Sequence, residues 1–284
     1  MKTRWSCGAL SLAGKEAEVA ARYDILRELG LLPLWRLRSV PAEVAETRNA
    51  CTSSAAEAPA RYNAAAPGQS REPPVDRLQH IAALKWPEFA TDVAACTACG
   101  LCRTRNKAVP GVGDVHAQWL FVGEAPGAEE DARGEPFVGQ AGRLLDNMLV
   151  ALGMKRGANV YIANVLKCRP PGNRTPSPLE VESCRPYLDR QIALIRPTLI
   201  VALGKSAATT LLNVDATIAS LRGRVHRYQG VPLIVTYHPA YLLRNLPDKA
   251  KAWEDLCLAR ATLRRLLAAS DGSAGLQTAP SAPS

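Results

Sequence analysis

The sequence predicts an α/β protein with a parallel sheet that helices cover on both faces. Four short apolar segments are rich in Val and Ile, as strands buried on both faces should be. They are Gln118 to Gly123, Val160 to Val165, Leu199 to Leu203 and Leu233 to Tyr237. Segments of helical periodicity alternate with them, and this alternation is typical of a parallel sheet. Ligands of such sheets bind beyond the carboxyl ends of the strands.

Four helices are predicted between and after these strands. Their ranges are Ala141 to Leu152, Pro178 to Ile195, Lys205 to Leu212 and Asp248 to Leu267. The second begins clearly, because Ser177 can cap it, Pro178 suits the first helical position and Glu180 completes a capping box. The GKS that follows Leu203 lacks the first glycine of a phosphate-binding loop, so Gly204 is interpreted as a turn between strand and helix.

Composition divides the chain into four parts. Residues 1–40 form an N-terminal arm, in which an amphipathic helix is expected over 14–30. Residues 41–74 have few large apolar side chains and are expected to form a disordered linker. The folded domain is predicted over 75–268, and the tail over 269–284 is expected to be disordered.

The charge balance favours a polyanionic partner such as nucleic acid, although a cationic surface without such a partner is also possible. Lys and Arg number 35 against 26 Asp and Glu, which gives a net charge of +9 and a pI near 9.3. No stretch reaches the roughly 18 apolar residues of a membrane span, so we expect a cytoplasmic protein. Its eight cysteines are then better interpreted as metal ligands or buried thiols than as disulfides.

Polar residues follow three of the predicted strands. Glu124 is the second residue of the segment GEAPGAEED, which begins at Gly123 as the first strand ends; its carboxylate could orient a water, or it could belong to an acidic surface loop. Asn164 ends the second strand, and its amide could pair with a base edge or could merely form a turn. His238 begins HPAYLLR after the fourth strand, and its imidazole could donate to a developing oxyanion. The leucines of that segment could enter a base stack or could face the core.

Four cysteines form a candidate metal site. Cys96 and Cys99 are a C-x2-C pair, whereas Cys168 and Cys184 are widely separated, and Cys102 overlaps the first pair. This spacing does not resemble a zinc ribbon, and four thiolates could hold zinc or an iron-sulfur cluster equally well. The remaining cysteines, Cys7, Cys51 and Cys257, are interpreted as ordinary thiols.

An ordered set of motifs resembles the family-four uracil-DNA glycosylases, the iron-sulfur branch of their superfamily. The motifs are ACTACGLCRTR, VGEAPGAEEDARGEPFVGQAG, YIANVLKCRPPGNRTPSPLEVESCRPYL, ALGKSA, LRGRVH and HPAYLLR. The resemblance covers about Ala95 to Leu267. Glu124 favours family four over family five, which lacks this carboxylate.

The resemblance implies a three-layer α/β/α fold with a four-stranded parallel sheet, and an enzyme that flips uracil out of DNA and hydrolyses its glycosidic bond. It implies a [4Fe-4S] cluster as well. The implied roles are catalysis by Glu124 and His238; uracil binding by Phe137, Asn164, Gly123 and Ala125; DNA binding by Leu242, Arg244 and Lys167; and cluster ligation by Cys96, Cys99, Cys168 and Cys184. A non-catalytic iron-sulfur DNA-binding protein and a zinc-containing nucleotide-binding module are the alternatives.

The arm carries a second, shorter resemblance. Leu26 to Arg38, LRELGLLPLWRLR, is similar to the start of the psi subunit of bacterial DNA polymerase III. Because psi docks on the chi subunit of the clamp loader, this resemblance implies a tether to the replication machinery. A helix that folds back on the domain is the alternative. The protein is otherwise expected to be a nucleoid-associated monomer.

Overall fold

The structure, a computed structural model, describes residues 75–274. The predicted arm and linker, and the end of the tail, lie outside the described residues. Within this range six strands form one mixed sheet in the order β1-β3-β2-β4-β6-β5. The strands are β1 (Val112–Gly113), β2 (Trp119–Gly123), β3 (Val160–Asn164), β4 (Leu199–Leu203), β5 (Val225–Tyr228) and β6 (Val231–Thr236).

The four predicted strands form the parallel centre of the sheet, β3-β2-β4-β6. The expectation of a four-stranded sheet was incomplete, because β1 and β5 add antiparallel edges. Strand β1 has only two residues, and β5 is largely exposed with the polar sequence VHRY. Neither edge strand contains the apolar run that marks a buried strand.

Helices cover both faces of the sheet and make three layers. The helices are α1 (Val75–Ala83), α2 (Trp86–Ala95), α3 (Ala128–Arg133), α4 (Gln140–Ala151), α5 (Pro178–Ile195), α6 (Lys205–Leu212), α7 (Ile218–Leu221), α8 (Pro239–Leu242) and α9 (Asp248–Ala274). Helices α5 and α6 contribute Leu188 and Leu211 to the core on one face. On the other face α4 and α9 contribute Leu145 and Leu256. The predicted α/β/α class is confirmed.

Helix α5 begins as the sequence predicts. The Glu180 amide donates to Ser177 Oγ over 3.3 Å, and the Ser177 amide donates to the Glu180 carboxylate over 2.8 Å. This reciprocal capping box satisfies two amide groups that a helix start leaves unpaired. It also fixes the end of the segment that runs from β3 to α5.

The helical layers differ from the prediction in several ways, since the short helices α3, α7 and α8 were not predicted. Helices α1 and α2 were not predicted, and they pack through Ile81 and Phe89 onto Tyr187 of α5. Helix α9 continues to Ala274, seven residues beyond its expected end at Leu267. Because the apolar pattern stops at Leu267, periodicity gives no signal for the last turns. In the described range, no helix combines the length and hydropathy that a membrane crossing requires.

The parallel register brings the predicted motifs to one edge of the sheet. Gly123 at the end of β2 pairs with Asn164 at the end of β3, and Leu203 of β4 pairs with Thr236 of β6. Chain segments that leave these four strands therefore meet beyond the same edge.

Candidate active site

A cleft of about 460 Å³ lies beyond the carboxyl ends of the central strands. Its size is within the range of small-molecule sites in proteins. Six of the residues predicted for catalysis, base binding or DNA binding line it: Glu124, Ala125, Phe137, Asn164, His238 and Arg244. The lining also includes residues that had no predicted role, among them Glu130, Pro170, Asn173, Arg174 and Tyr241.

Glu124 follows β2 directly and is half-buried at the cleft. Burial raises the pKa of its carboxyl above the usual value, and a hydrogen bond from Ser206 at the start of α6 partly offsets this rise. The carboxylate therefore has one fixed partner in the protein and faces the cleft. Such a group can orient a water or accept its proton.

Asn164 ends β3 and is buried, with 2% of its surface exposed. Its Oδ1 has no hydrogen-bond partner although it is fully buried. An unpaired buried acceptor is costly, so its presence in a cleft points to a ligand that donates a hydrogen bond. Gly123 makes room for this amide, because a Cβ at position 123 would lie 2.4 Å from Asn164 Oδ1 and 2.6 Å from Phe137 Cζ.

Phe137 is presented to the cleft by an unusual turn with φ of 54°. Arg156 stabilises this turn by donating to Pro136 O over 2.9 Å and to Phe137 O over 2.8 Å, and it also pairs with Asp146. Gly142 allows the close approach of α4, because a Cβ there would meet Phe137 O at 1.8 Å. The ring is thus held as a fixed stacking surface.

His238 stacks against Phe137 with ring centroids 5.5 Å apart. Its Nδ1 accepts a hydrogen bond from the Ala240 amide over 3.1 Å, which leaves the proton of the neutral ring on Nε2. Burial, with a smaller contribution from nearby Arg244, lowers the pKa of His238 to about 4, although Glu130 acts in the opposite direction. The imidazole is therefore a neutral hydrogen-bond donor near pH 7.

Glu130 was not predicted to have a role in the site, yet it fixes two of the loops that line the cleft. Its Oε1 accepts from the amides of Val138 and Gly139 over 2.9 and 3.1 Å, and its Oε2 accepts from the amide of Gly127 over 3.1 Å. In the sequence Glu130 is only one of several acidic residues near Gly127. No local pattern distinguishes this half-buried, hydrogen-bonded carboxylate from a solvated one.

The loop that follows β6 corrects one prediction. Leu242, expected to enter the base stack, is 1% exposed and packs with Tyr237 and Ala252 in the core. Leu243 is 39% exposed instead. The helical geometry of α8 turns consecutive side chains toward different sides, so only one of the two leucines can face solvent. Arg244 is exposed at the cleft, and its assignment to phosphate binding stays a prediction.

Lys167 corrects a second prediction. Its side chain was expected to bind phosphates, but the residue is 1% exposed, and its Nζ donates to Asn164 O over 2.8 Å and to Gln191 Oε1. Burial lowers the pKa of this ammonium to about 8, partly offset by Cys184 and Cys168. A phosphate cannot reach it without unfolding of the loop.

The four predicted ligand cysteines line a second cavity, at the junction of α2, the loop after β3 and helix α5. Cys102 lies on the same lining. Basic side chains and an amide point at three of the sulfurs: Arg77 Nη2 to Cys96 Sγ over 3.7 Å, Arg105 Nη1 to Cys168 Sγ over 2.9 Å, and the Lys167 amide to Cys184 Sγ over 3.2 Å. Such donors suit sulfurs that carry negative charge.

The described part of the chain contains no three histidine, cysteine or carboxylate side chains that are grouped tightly enough to hold one metal ion. Burial raises the pKa of the Cys184 thiol to about 12. Coordination of a metal would offset this effect, because a bound cation stabilises the thiolate.

Fold and cleft define an α/β enzyme whose site combines a carboxylate, a neutral imidazole and an unpaired amide. The profile of the Uracil DNA glycosylase superfamily matches residues 110–257, just over half of the chain. The chain therefore belongs to the uracil-DNA glycosylase superfamily.

Within that superfamily the chain is similar to several type-4 uracil-DNA glycosylases. It is 47% identical to the enzyme of Archaeoglobus fulgidus over 55% of this chain and 82% of the relative. Identity to the Pyrobaculum aerophilum enzyme is 46% over 57% of this chain and 87% of the relative. Identity to the Thermotoga maritima enzyme is 42% over 61% of this chain and 92% of the relative. A type-5 enzyme of Pyrobaculum aerophilum is 35% identical over 49% of this chain and 69% of the relative.

Proposed function

We propose that the protein is a type-4 uracil-DNA glycosylase, a monofunctional hydrolase of base excision repair that acts on uracil-containing DNA and leaves an abasic site. The observation that carries the proposal is the buried, unpaired Oδ1 of Asn164 in a cleft shared with Glu124 and His238. Superfamily membership and the type-4 relatives support the same activity.

Recognition of uracil rests on complementary hydrogen bonds. The target nucleotide leaves the helix, because its glycosidic bond is out of reach inside the duplex. Its ring stacks on Phe137, while Asn164 Oδ1 accepts from N3–H and Asn164 Nδ2 donates to O4. Ala125 lines the pocket with little bulk, and Gly123 leaves room for the side chains of Asn164 and Phe137. Cytosine has an acceptor at N3 and a donor at position 4, so it would leave the same amide mispaired.

Cleavage places negative charge on the departing base and positive charge on the sugar. As the bond between N1 and C1′ breaks, the electron pair stays on uracil, and the neutral His238 donates from Nε2 to O2. Stabilisation of this kind is worth about 3 kcal/mol. Glu124 orients the water that attacks C1′, stabilises the cationic sugar and accepts the proton of the water. No covalent bond to the protein forms.

The rim of the cleft contacts the DNA. Leu243 fills the space that the flipped nucleotide leaves, since it is the exposed leucine of the loop after β6. Arg244 neutralises a phosphate, which makes binding dependent on salt. Arg174 is also exposed at the cleft, and its bidentate bonds to Glu180 hold it in place.

The cysteine cavity is proposed to hold a [4Fe-4S] cluster through Cys96, Cys99, Cys168 and Cys184. Four sulfurs beside Arg77, Arg105 and the Lys167 amide fit a group that carries net negative charge with its thiolate ligands. When bound, the cluster would cross-link the segment after α2 to the loop and helix after β3. Visible absorbance and iron content of anaerobically purified protein test this, because zinc gives no such absorbance.

Excision of uracil can be measured on labelled oligonucleotides, in single-stranded and in duplex form, with alkali to cut the abasic product. We expect product from the wild-type protein and loss of about 100-fold or more of the rate in Glu124→Ala and His238→Ala. Both variants should retain DNA binding. A wild-type protein that binds DNA and yields no product from either form would instead support a non-catalytic DNA-binding role.

The N-terminal arm, residues 1–40, is proposed to tether the enzyme to the chi subunit of the clamp loader. The support is the resemblance of Leu26 to Arg38 to the start of psi, and these residues lie outside the described range. A pulldown with residues 1–45 as bait tests the tether. Retention of chi is expected, and failure to retain it would end the proposal. We propose for the same reason that the protein is a monomer of the cytoplasm that associates with the nucleoid.

A further inference from the structure

Lys167 places a buried ammonium between the candidate base pocket and the cysteine cavity. Its Nζ donates to Asn164 O over 2.8 Å and to Gln191 Oε1. On its other side the residue lines the cysteine cavity together with Cys184 and Cys168, and its own amide donates to Cys184 Sγ. A buried cation without a carboxylate partner needs a source of negative charge, which these cysteines would supply as ligands of a bound cluster.

Gln191 is fixed so that its oxygen must face Lys167. The residue is fully buried on α5, and its Nε2 donates to Pro110 O over 2.6 Å and to Tyr161 Oη over 3.2 Å. Because both amide hydrogens point away from Lys167, Oε1 is left to accept from the ammonium. The side chain of Lys167 therefore has a rigid support on one side and the backbone of Asn164 on the other.

The backbone of Lys167 is bound at the same time to the cysteine cavity. Its amide donates to Cys184 Sγ over 3.2 Å, and its carbonyl accepts from the Val109 amide over 2.8 Å. One residue thus contacts a sulfur of the cavity and the main chain of the residue whose amide faces the cleft. Lys167 therefore links a residue of each site.

We propose that Lys167 is a positioning residue that couples the cysteine site to base recognition. Cysteines that ligate the cluster as thiolates would stabilise the Lys167 ammonium, and the ammonium holds the Asn164 carbonyl so that the side-chain amide of Asn164 is aligned for the base. This proposal rests on the proposed function for the identity of the base and of the cluster. It assigns to Lys167 a role through Asn164 and no contact with DNA.

The test compares Lys167→Met with wild type, because methionine fills similar space without charge or donor. Lys155→Met is the control, since Lys155 is exposed and lies in neither site. Three quantities are measured on iron-loaded protein: the cluster reduction potential, the single-turnover rate on uracil-containing DNA, and the Kd for the same DNA. The potential is a readout that does not depend on activity.

We expect Lys167→Met to lower the reduction potential, because removal of a positive charge next to Cys184 disfavours the more negative reduced cluster. The single-turnover rate should fall about 10-fold or more while the Kd changes little. The double variant Lys167→Met with Asn164→Ala should be no slower than Asn164→Ala alone, since both changes remove the same contact with the base. Lys155→Met should match wild type in all three quantities.

Two results would overturn the proposal. One is a Lys167→Met protein with the wild-type rate, and the other is a double variant whose loss is the product of the two single losses. If Lys167→Met does not retain its cluster, Gln191→Leu replaces it, because Gln191 contacts Lys167 but none of the sulfurs. That variant should slow excision without a change in potential, and a wild-type rate there would also overturn the proposal. A wild-type chain that is inactive on uracil would contradict the proposed function, whereas the shift in potential would still be measurable.

Discussion

The tautomer of His238 follows from one backbone contact. Because the Ala240 amide donates to Nδ1, the proton of the neutral ring lies on Nε2. Burial lowers the pKa of the ring to about 4, so the ring is neutral at higher pH. Glu124 differs, because burial raises the pKa of its carboxyl above the usual value. On acidification the carboxyl of Glu124 should therefore take up its proton before the imidazole of His238 does.

The dependence of the rate on pH should follow Glu124. The carboxylate is the active form and exists above its pKa, so the single-turnover rate should fall as the pH drops through a midpoint above 4.5. Glu124→Gln should lose about 100-fold of the rate at pH 7 and should lack this acidic limb until His238 protonates near pH 4. Rates over pH 4 to 8, with controls for stability at each pH, provide the measurement. An unchanged acidic limb in Glu124→Gln would assign it to another group.

The two leucines of the loop after β6 should respond differently to substitution. Leu243→Ala should slow excision from duplex DNA by about 10-fold and have little effect on single strands, because only the duplex must be held open. Leu242→Ala removes a buried side chain and should lower the free energy of unfolding by about 2–5 kcal/mol. Excision assays on both DNA forms and thermal unfolding separate the two. Equal effects of both variants on duplex excision would contradict this assignment.

At the scale of single residues, the sequence located positions better than it located side-chain directions. Glu124, Asn164 and His238 could be found because each lies at or just after the end of an apolar strand, and those ends are visible in the sequence. The exposure of Leu243 rather than Leu242 depends on how the short helix α8 is rotated about its axis. A segment of four residues is too short for the sequence to show that rotation. The burial of Lys167 depends on Gln191, which is distant in sequence.

The turn that presents Phe137 is stabilised from a neighbouring segment. Arg156 follows α4 and donates to two carbonyls of the turn, and Gly142 allows α4 to touch the Phe137 carbonyl. Neither contact has a local sequence signature, because it joins parts of the chain that lie about a helix length apart. The apolar strands and amphipathic helices were predictable from periodicity alone, whereas the edge strands were too short and too polar.

Arg156→Met should therefore weaken base stacking, although Arg156 does not line the cleft. Loss of the bonds to Pro136 O and Phe137 O should lower the free energy of unfolding by about 1–3 kcal/mol and the excision rate by about 10-fold. Arg143→Met is the matched control, because Arg143 is exposed on α4. Urea unfolding and single-turnover rates give the measurement. A rate equal to that of Arg143→Met would show that the turn holds its conformation without Arg156.

For the whole molecule, the cysteine cavity joins segments that are distant in the chain. Cys96 and Cys99 follow α2, Cys168 follows β3, and Cys184 lies on α5. A metal site whose ligands lie far apart in the sequence restricts the unfolded chain more than a site whose ligands are close together in the sequence. The sequence could identify the candidate ligands, but it could not show that Cys102 lies on the same lining.

Single substitutions can test which cysteines hold the proposed cluster and whether it stabilises the fold. Cys184→Ala should lose visible absorbance and iron and should lower the Tm by several degrees, because the link between α5 and the segment after α2 is lost. Cys102→Ala should retain both the absorbance and the Tm if Cys102 is not a ligand. Cys257→Ala, a change on α9 outside the cavity, controls for the loss of a thiol. Iron analysis and thermal unfolding under anaerobic conditions provide the measurement. A colourless Cys102→Ala protein together with a coloured Cys184→Ala protein would show that Cys102, and not Cys184, is a ligand. The cluster would then have no ligand on α5, the helix that carries Gln191.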